Sequence, residues 1–264
     1  MPDWARPKDT TTRYIYDQNT DDFGDFVYAF VNRYKARVKY FVIWNEPNTT
    51  AEWGFRPVSA SEYVNLLRAT YPRVKQADPR ANVVAGALAP TLEQGPMGVD
   101  DLVYLQQMYD AGARDYFDVM AIHAYGFRYP PDDPPSPDRV NFARASLIRD
   151  VMVRNGDAAK PAIITEGGWN DHPRWTKAVR PVQRVQYTVR AFEKIEQEWP
   201  WCLGATMWVF RLPWPARNYN DNYVFVDALF RPKLVYLAIR RYARDEDWRQ
   251  VMSANAGDSS LLVP

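Results

Sequence analysis

The sequence predicts an α/β fold, and two observations carry that expectation. Five short runs, at 38–44, 82–88, 117–122, 162–165 and 203–210, are apolar at nearly every position. Such runs suit strands buried on both faces, as in a parallel sheet. Segments with helical spacing alternate with them, and a β-α order implies right-handed crossovers between parallel strands. The length of 264 residues suits one (β/α)8 TIM barrel of roughly 250 residues.

Taken in order, the first helical pattern carries Phe23, Phe26, Val27, Phe30 and Val31, with Thr20 as its cap. The strand at 38–44 follows. Ser59 or Ser61 caps the next helix, which carries Tyr63, Leu66, Leu67 and Val74. After the strand at 82–88, a weaker helix covers 99–111. The strand at 117–122 precedes a proline-rich stretch at 129–137, read either as a semi-rigid wall of a cleft or as a stiff surface loop. Ser136-Pro137 resembles a cap followed by proline at the first helical position, so a helix is expected from there to Asn155-Gly156. The strand at 162–165 comes next. A helix then carries Val182, Val185, Val189, Phe192 and Ile195, and it leads to the strand at 203–210. A last helix is expected at about 232–242. No internal repeat or linker interrupts this order. Residues 1–244 read as one barrel domain and 245–264 as a polar tail.

Composition removes several function classes. There are 33 Lys plus Arg against 32 Asp plus Glu, a formal net charge of +1. That balance argues against a nucleic-acid partner recruited by a global positive field. Mean hydropathy is −0.48, and no run of about 18 apolar residues marks a membrane span. A single cysteine, Cys202, excludes an internal disulfide framework. The N-terminal Met1-Pro2-Asp3-Trp4-Ala5 lacks the progression of a secretory signal, which leaves the compartment open. Aromatic residues make up 15% of the chain, with 10 Trp and 17 Tyr. Some of these are core, and the surplus also suits a cleft for sugar rings with flat C–H faces.

Two segments share one architecture. Tyr40-Phe41-Val42-Ile43-Trp44-Asn45-Glu46-Pro47-Asn48 is an apolar strand running into Asn-Glu-Pro. Pro47 removes an N–H from the ladder and drives Glu46 out of the α region, so the strand ends there. Pro161-Ala162-Ile163-Ile164-Thr165-Glu166-Gly167-Gly168-Trp169 is again a strand ending in a glutamate, followed by glycines that admit a ligand or backbone closely. Glu46 alone is also read as a solvated carboxylate at a strand end, a reading that the second segment weakens. Two of them at the C-terminal ends of two strands of one sheet supply the paired carboxylates of glycoside hydrolysis.

These segments resemble the retaining glycoside hydrolases of clan A. Asn45-Glu46-Pro47 is similar to the acid/base motif of their fourth barrel strand, and Thr165-Glu166-Gly167-Gly168-Trp169 to the nucleophile motif of the seventh. His123-Ala124-Tyr125 resembles the end of the sixth strand and Met207-Trp208 that of the eighth. Trp-Asn-Glu-Pro-Asn looks nearest to the β-xylosidase and iduronidase type or the broad cellulase type. The resemblance runs from about Trp4 to Tyr242.

The resemblance implies retention through two carboxylates about 5–5.5 Å apart. Glu166 attacks the anomeric carbon. Glu46 protonates the leaving oxygen and then acts as base on water. Asn45 donates to the sugar 2-hydroxyl, Tyr125 bonds Glu166, and Trp208 forms a stacking floor or is plain core. His123 supports the same cluster or is a satisfied histidine at a strand end. Trp53, Trp169 and Trp214 lie on candidate cleft loops, as ligand contacts or as packing, and His172 is a loop residue. The implied substrate is a plant-type oligosaccharide, polysaccharide or glycoside, with no cofactor. A metal site is disfavoured because only two histidines exist, His123 and His172. Oligomeric state stays open.

Numbering Glu46 into the fourth strand makes the barrel N-terminally incomplete. Strand starts fall at 38, 82, 117, 162 and 203, about 41 residues apart, while only 37 residues precede Val38. Strands 4–8 and a remnant of strand 3 are therefore expected. A catalytically impaired carbohydrate-binding barrel fragment is the alternative function.

Overall fold

The computed structural model describes residues 2–8, 11–15, 17–215 and 217–254. In chain order it contains α1 (Thr20–Tyr34), β1 (Tyr40–Ile43), α2 (Ala60–Ala77), β2 (Asn82–Leu88), β3 (Gln94–Gly95), β4 (Gly98–Val99) and α3 (Asp101–Asp110). There follow β5 (Val119–Tyr125), α4 (Ala145–Arg154), β6 (Ala162–Gly168), α5 (Pro181–Glu198), β7 (Cys202–Ala205), α6 (Leu234–Tyr242) and α7 (Gln250–Ala254). The strands β1, β2, β5, β6 and β7 stand in that order in one sheet, and β3 pairs with β4 as a separate antiparallel ribbon. β1 runs parallel to β2 with Tyr40 opposite Asn82 and Ile43 opposite Ala85. β2 runs parallel to β5, with a register shift between Ala85 and Leu88. No helix among the described residues is long and apolar enough to cross a membrane.

The chain divides into two compact units. Met1–His123 with Ser146–Ile163 forms one, and Ala124–Ala145 with Ile164–Pro264 the other. In the first, Val84, Ala87, Val119 and Ala121 form a buried cluster with Ile163 packed on it. Small and β-branched residues dominate because strands covered on both faces carry apolar side chains at successive positions. Helix α1 buries Val27 and Val31 and leaves Phe26 and Phe30 exposed, so its aromatic positions lie largely outside the core.

The caps follow the physics of unpaired helix-end N–H groups. Ser59 accepts from the Glu62 N–H at the start of α2. Asp100 accepts from Leu102 and Val103 at the start of α3. At α1 the expected cap moves by one residue: Thr20 is the first helical residue and Asn19 holds the cap position without a side-chain bond.

In the second unit, Val185, Val189, Val235 and Ala238 form the cluster joining α5 and α6. Trp248 and Met252 pack against it, and α7 begins at Gln250, so these residues of the 245–264 segment are folded onto α6. Residues 255–264 lie outside the described part.

Two expectations need correction here. The helix expected from Ser136 begins only at Ala145, after a 3-10 turn at Phe142–Arg144 capped by the Asn141 side chain. The reason is Arg144, whose guanidinium takes the Ser136 and Pro137 carbonyls at 3.0 and 2.8 Å. The buried Arg144 thus fixes 136–137 as loop, and the preceding segment is tied down as well. Asn141 donates to the Pro134 carbonyl at 2.8 Å, and Trp169 Nε1 donates to the Tyr129 carbonyl at 2.8 Å.

The second correction concerns the strand expected at 203–210, which is regular only over β7. Beyond it, the 209–210 backbone exchanges hydrogen bonds with 223–226: Phe225 N–H to the Val209 carbonyl at 3.1 Å and Val226 N–H to the Phe210 carbonyl at 3.1 Å. That pairing bends the chain out of the sheet.

Candidate active site

In the first unit the end of β1 is bent sharply. Trp44 and Glu46 have φ of 70° and 44°, left-handed values that cost a non-glycine residue roughly 1–2 kcal/mol. Pro47 thus keeps Glu46 out of the right-handed α region, and the residue settles in the left-handed one. Two devices hold this bend. The Glu46 N–H donates to the Ala87 carbonyl at 2.8 Å. Asn48, fully buried, donates to the Ala89 and Val99 carbonyls at 2.9 Å each and accepts the Ala89 N–H at 2.8 Å.

Gly86 lets the bend approach β2. A Cβ there would lie 2.7 Å from both the Ile43 and Trp44 carbonyl oxygens. Tyr63 locks the same crossing: its hydroxyl donates to the Ile43 carbonyl at 2.8 Å and accepts the Gly86 N–H.

Glu46 itself is half-buried, and its Oε1 lies 2.8 Å from His123 Nδ1. The His123 side chain is only 1% exposed. Asn45 is half-buried beside Glu46, and its amide has no protein hydrogen bond among the described residues.

In the second unit, Tyr125 donates its hydroxyl to Glu166 Oε2 at 2.8 Å. The glycine after Glu166 serves the backbone: a Cβ on Gly167 would lie 2.4 Å from the Ala124 carbonyl oxygen. Trp208 donates its backbone N–H to the Gly167 carbonyl at 3.0 Å, which fixes it beside the end of β6. Its ring meets Tyr223 edge-on at 5.4 Å, and Tyr223 meets Tyr125 edge-on at 5.5 Å. Tyr223 is buried, and burial pushes its hydroxyl well above the usual tyrosine value. It is therefore a neutral wall behind Tyr125.

The remaining tryptophans sort by exposure. Trp169 is 1% exposed and packs against Phe142 and Tyr187. It props the 129–137 loop and offers no stacking face. Trp53 is buried against Trp44 and Tyr63. Trp214 is 80% exposed. His172 accepts the Arg174 N–H at 3.1 Å within its loop.

The sequence pattern gave no site role to Asn48, Tyr63 or Tyr223, and placed Tyr63 only on a helix. For Asn48 a signal existed, a turn-forming side chain directly after Glu-Pro. For the two tyrosines none did, because their partners lie 15 or more residues away.

No family model matches the chain, and no curated relative does. Solved structures do. A family 39 glycoside hydrolase from the gut symbiont Bacteroides cellulosilyticus WH2 matches at 21% identity and a TM-score of 0.59, over 84% of this chain and 44% of that one. A glucosidase from Croceicoccus marinus matches at 13% identity and a TM-score of 0.64, over 85% and 46%. Bacteroides uniformis beta-glucuronidase 2 matches at 14% identity and a TM-score of 0.58, over 87% and 26%. The chain thus shares its fold with glycoside hydrolases and spans less than half the length of each of these structures.

Proposed function

We propose that the chain carries the catalytic half of a retaining glycoside hydrolase of the clan A type. In this reading its five parallel strands are the fourth to eighth of a (β/α)8 barrel. One observation carries the proposal. His123 and Tyr125 lie two residues apart on β5, so their side chains leave it on the same face. His123 bonds Glu46 and Tyr125 bonds Glu166. Each glutamate is thus held by a hydrogen bond from a residue of β5.

Glu166 is the nucleophile, aimed by the Tyr125 hydroxyl. Its attack on the anomeric carbon forms a glycosyl ester, while Glu46 gives its proton to the departing glycosidic oxygen. Glu46 then takes a proton from water, which attacks the anomeric carbon, breaks its bond to the Glu166 carboxylate and gives a product of retained configuration. His123 holds the Glu46 carboxyl in place. The unpaired amide of Asn45 donates to the sugar 2-hydroxyl, and Trp208 supplies a ring face for the sugar. No cofactor enters these steps.

The substrate is a plant-type oligosaccharide, polysaccharide or glycoside. The test is Glu166→Ala. Turnover should collapse and be rescued by azide, giving a glycosyl azide of inverted configuration. Full activity in that variant sinks the assignment. Sugar binding by the wild-type chain without any turnover would favour an impaired binding protein.

A further inference from the structure

In the first unit an apolar surface faces solvent. Phe26 and Phe30 on α1 are both exposed, Phe26 to 59%, and their rings lie 5.9 Å apart. Tyr40 and Val42 on β1 are exposed as well. β1 pairs with β2 and, among the described residues, with no strand on its other side. A cluster of exposed rings on one helix face marks a contact surface.

That face of α1 carries an ordered pattern. Asp22, Phe26, Ala29 and Arg33 are all exposed, at spacings of four, three and four residues, which align them in one stripe along the helix. The opposite face, with Gly24, Val27 and Val31, is buried, and Gly24 lies against Ala69 of α2. The stripe is acidic at its start and basic at its end, and those end charges are free to act outward. Asp22 accepts the Asn19 amide at 2.9 Å, and the Arg33 guanidinium lies 5.7 Å from the Tyr34 ring. Neither has an ion-pair partner among the described residues, whereas the neighbouring Asp25 is paired with Arg73 at 2.8 Å.

The pattern is self-complementary in one orientation. In an antiparallel pair of α1 helices, Asp22 lies opposite Arg33 of the copy. Phe26 then lies opposite Ala29 of the copy, a large side chain over a small one. A parallel pair sets Asp22 on Asp22, Arg33 on Arg33 and Phe26 on Phe26, which charge and volume both disfavour. A two-fold axis across the helix produces the antiparallel pair and makes every contact twice. A membrane surface fits less well, because Asp21 and Asp22 border the exposed rings.

We propose that α1 is the contact of a two-fold dimer of this chain, its antiparallel helices joined by two Asp22–Arg33 pairs around Phe26 and Ala29. The aromatic–alanine layer supplies the affinity, and the ion pairs at its ends fix orientation and partner.

The test is sedimentation equilibrium of the 264-residue chain, 30.7 kDa as a monomer, from about 1 to 100 µM. Wild type should reach about twice that mass and form no larger species. Phe26→Ser should weaken self-association about tenfold or more, with an unchanged circular dichroism spectrum. Arg33→Glu should weaken it about tenfold, and Asp22→Arg added to Arg33→Glu should restore most of the loss. A monomer over the whole range, open-ended growth, an unaffected Phe26→Ser variant or no recovery in the charge-swapped chain overturns the dimer. A wild-type monomer would assign this face to a different partner. None of these readouts uses turnover, so they stand apart from the hydrolase reading.

Discussion

The His123 imidazole meets the Glu46 carboxylate at 2.8 Å, from a side chain that is 1% exposed. A ring held this firmly limits the rotamers of its partner, which is what a proton donor at a strand end requires. On the same strand the Tyr125 hydroxyl makes the corresponding bond to Glu166.

Removing either partner should lower kcat/KM and leave the fold in place. A hydrogen bond to a charged group contributes about 1.5–3 kcal/mol, so Tyr125→Phe should cost roughly 10- to 100-fold. His123→Ala should have an effect of about the same size, read most clearly on substrates with poor leaving groups, because those depend most on Glu46. Uniform loss over all leaving groups in His123→Ala would contradict its link to the acid.

Asn48 acts on Glu46 through the backbone. Asn48→Ala strips partners from the Ala89 N–H and the Ala89 and Val99 carbonyls in a fully buried place. Buried unsatisfied groups cost about 1–3 kcal/mol each, partly relieved by relaxation. We expect about 2–3 kcal/mol lost in chemical denaturation. A change below about 0.5 kcal/mol would show that the clamp is not needed.

Acid should weaken an ion-pair cluster on the surface of the second unit. Hydrogen bonds from Arg190, then Lys194, hold the Asp132 carboxyl below its usual value, and Lys194 and Arg190 do the same for Glu198. Both carboxylates therefore contribute stability above the unfolded carboxylate pKa of about 4, and that contribution is lost as pH falls through the lowered folded values. Asp132 is half exposed, so solvent screening keeps its share below about 1 kcal/mol. Denaturation of Asp132→Asn against wild type should show that deficit at pH 7 and none near pH 2. A deficit that persists at low pH would contradict the ion-pair origin.

Both proposed catalytic glutamates were legible because each ends an apolar run whose composition suits a strand buried on both faces. Glu46 and Glu166 needed only local sequence to be located. The start of α4 was not legible. Ser136-Pro137 has a capping pattern, and only Arg144, reaching back to those carbonyls, cancels it. The departure of 209–210 from the sheet depends on pairing with 223–226, which no local pattern in 203–210 encodes. The tryptophans show the limit of composition: Trp169 and Trp53 are core, whereas Trp208 lies beside the end of β6.

The central claim is that Glu166 forms a covalent glycosyl ester. It is tested most directly by incubating the protein with a 2-deoxy-2-fluoro glycoside of a sugar it hydrolyses, then mapping the adduct by peptide mass spectrometry. The prediction is one fluorosugar per chain, attached at Glu166, with time-dependent loss of activity. An adduct on another residue, or full activity with no adduct formed, would contradict it.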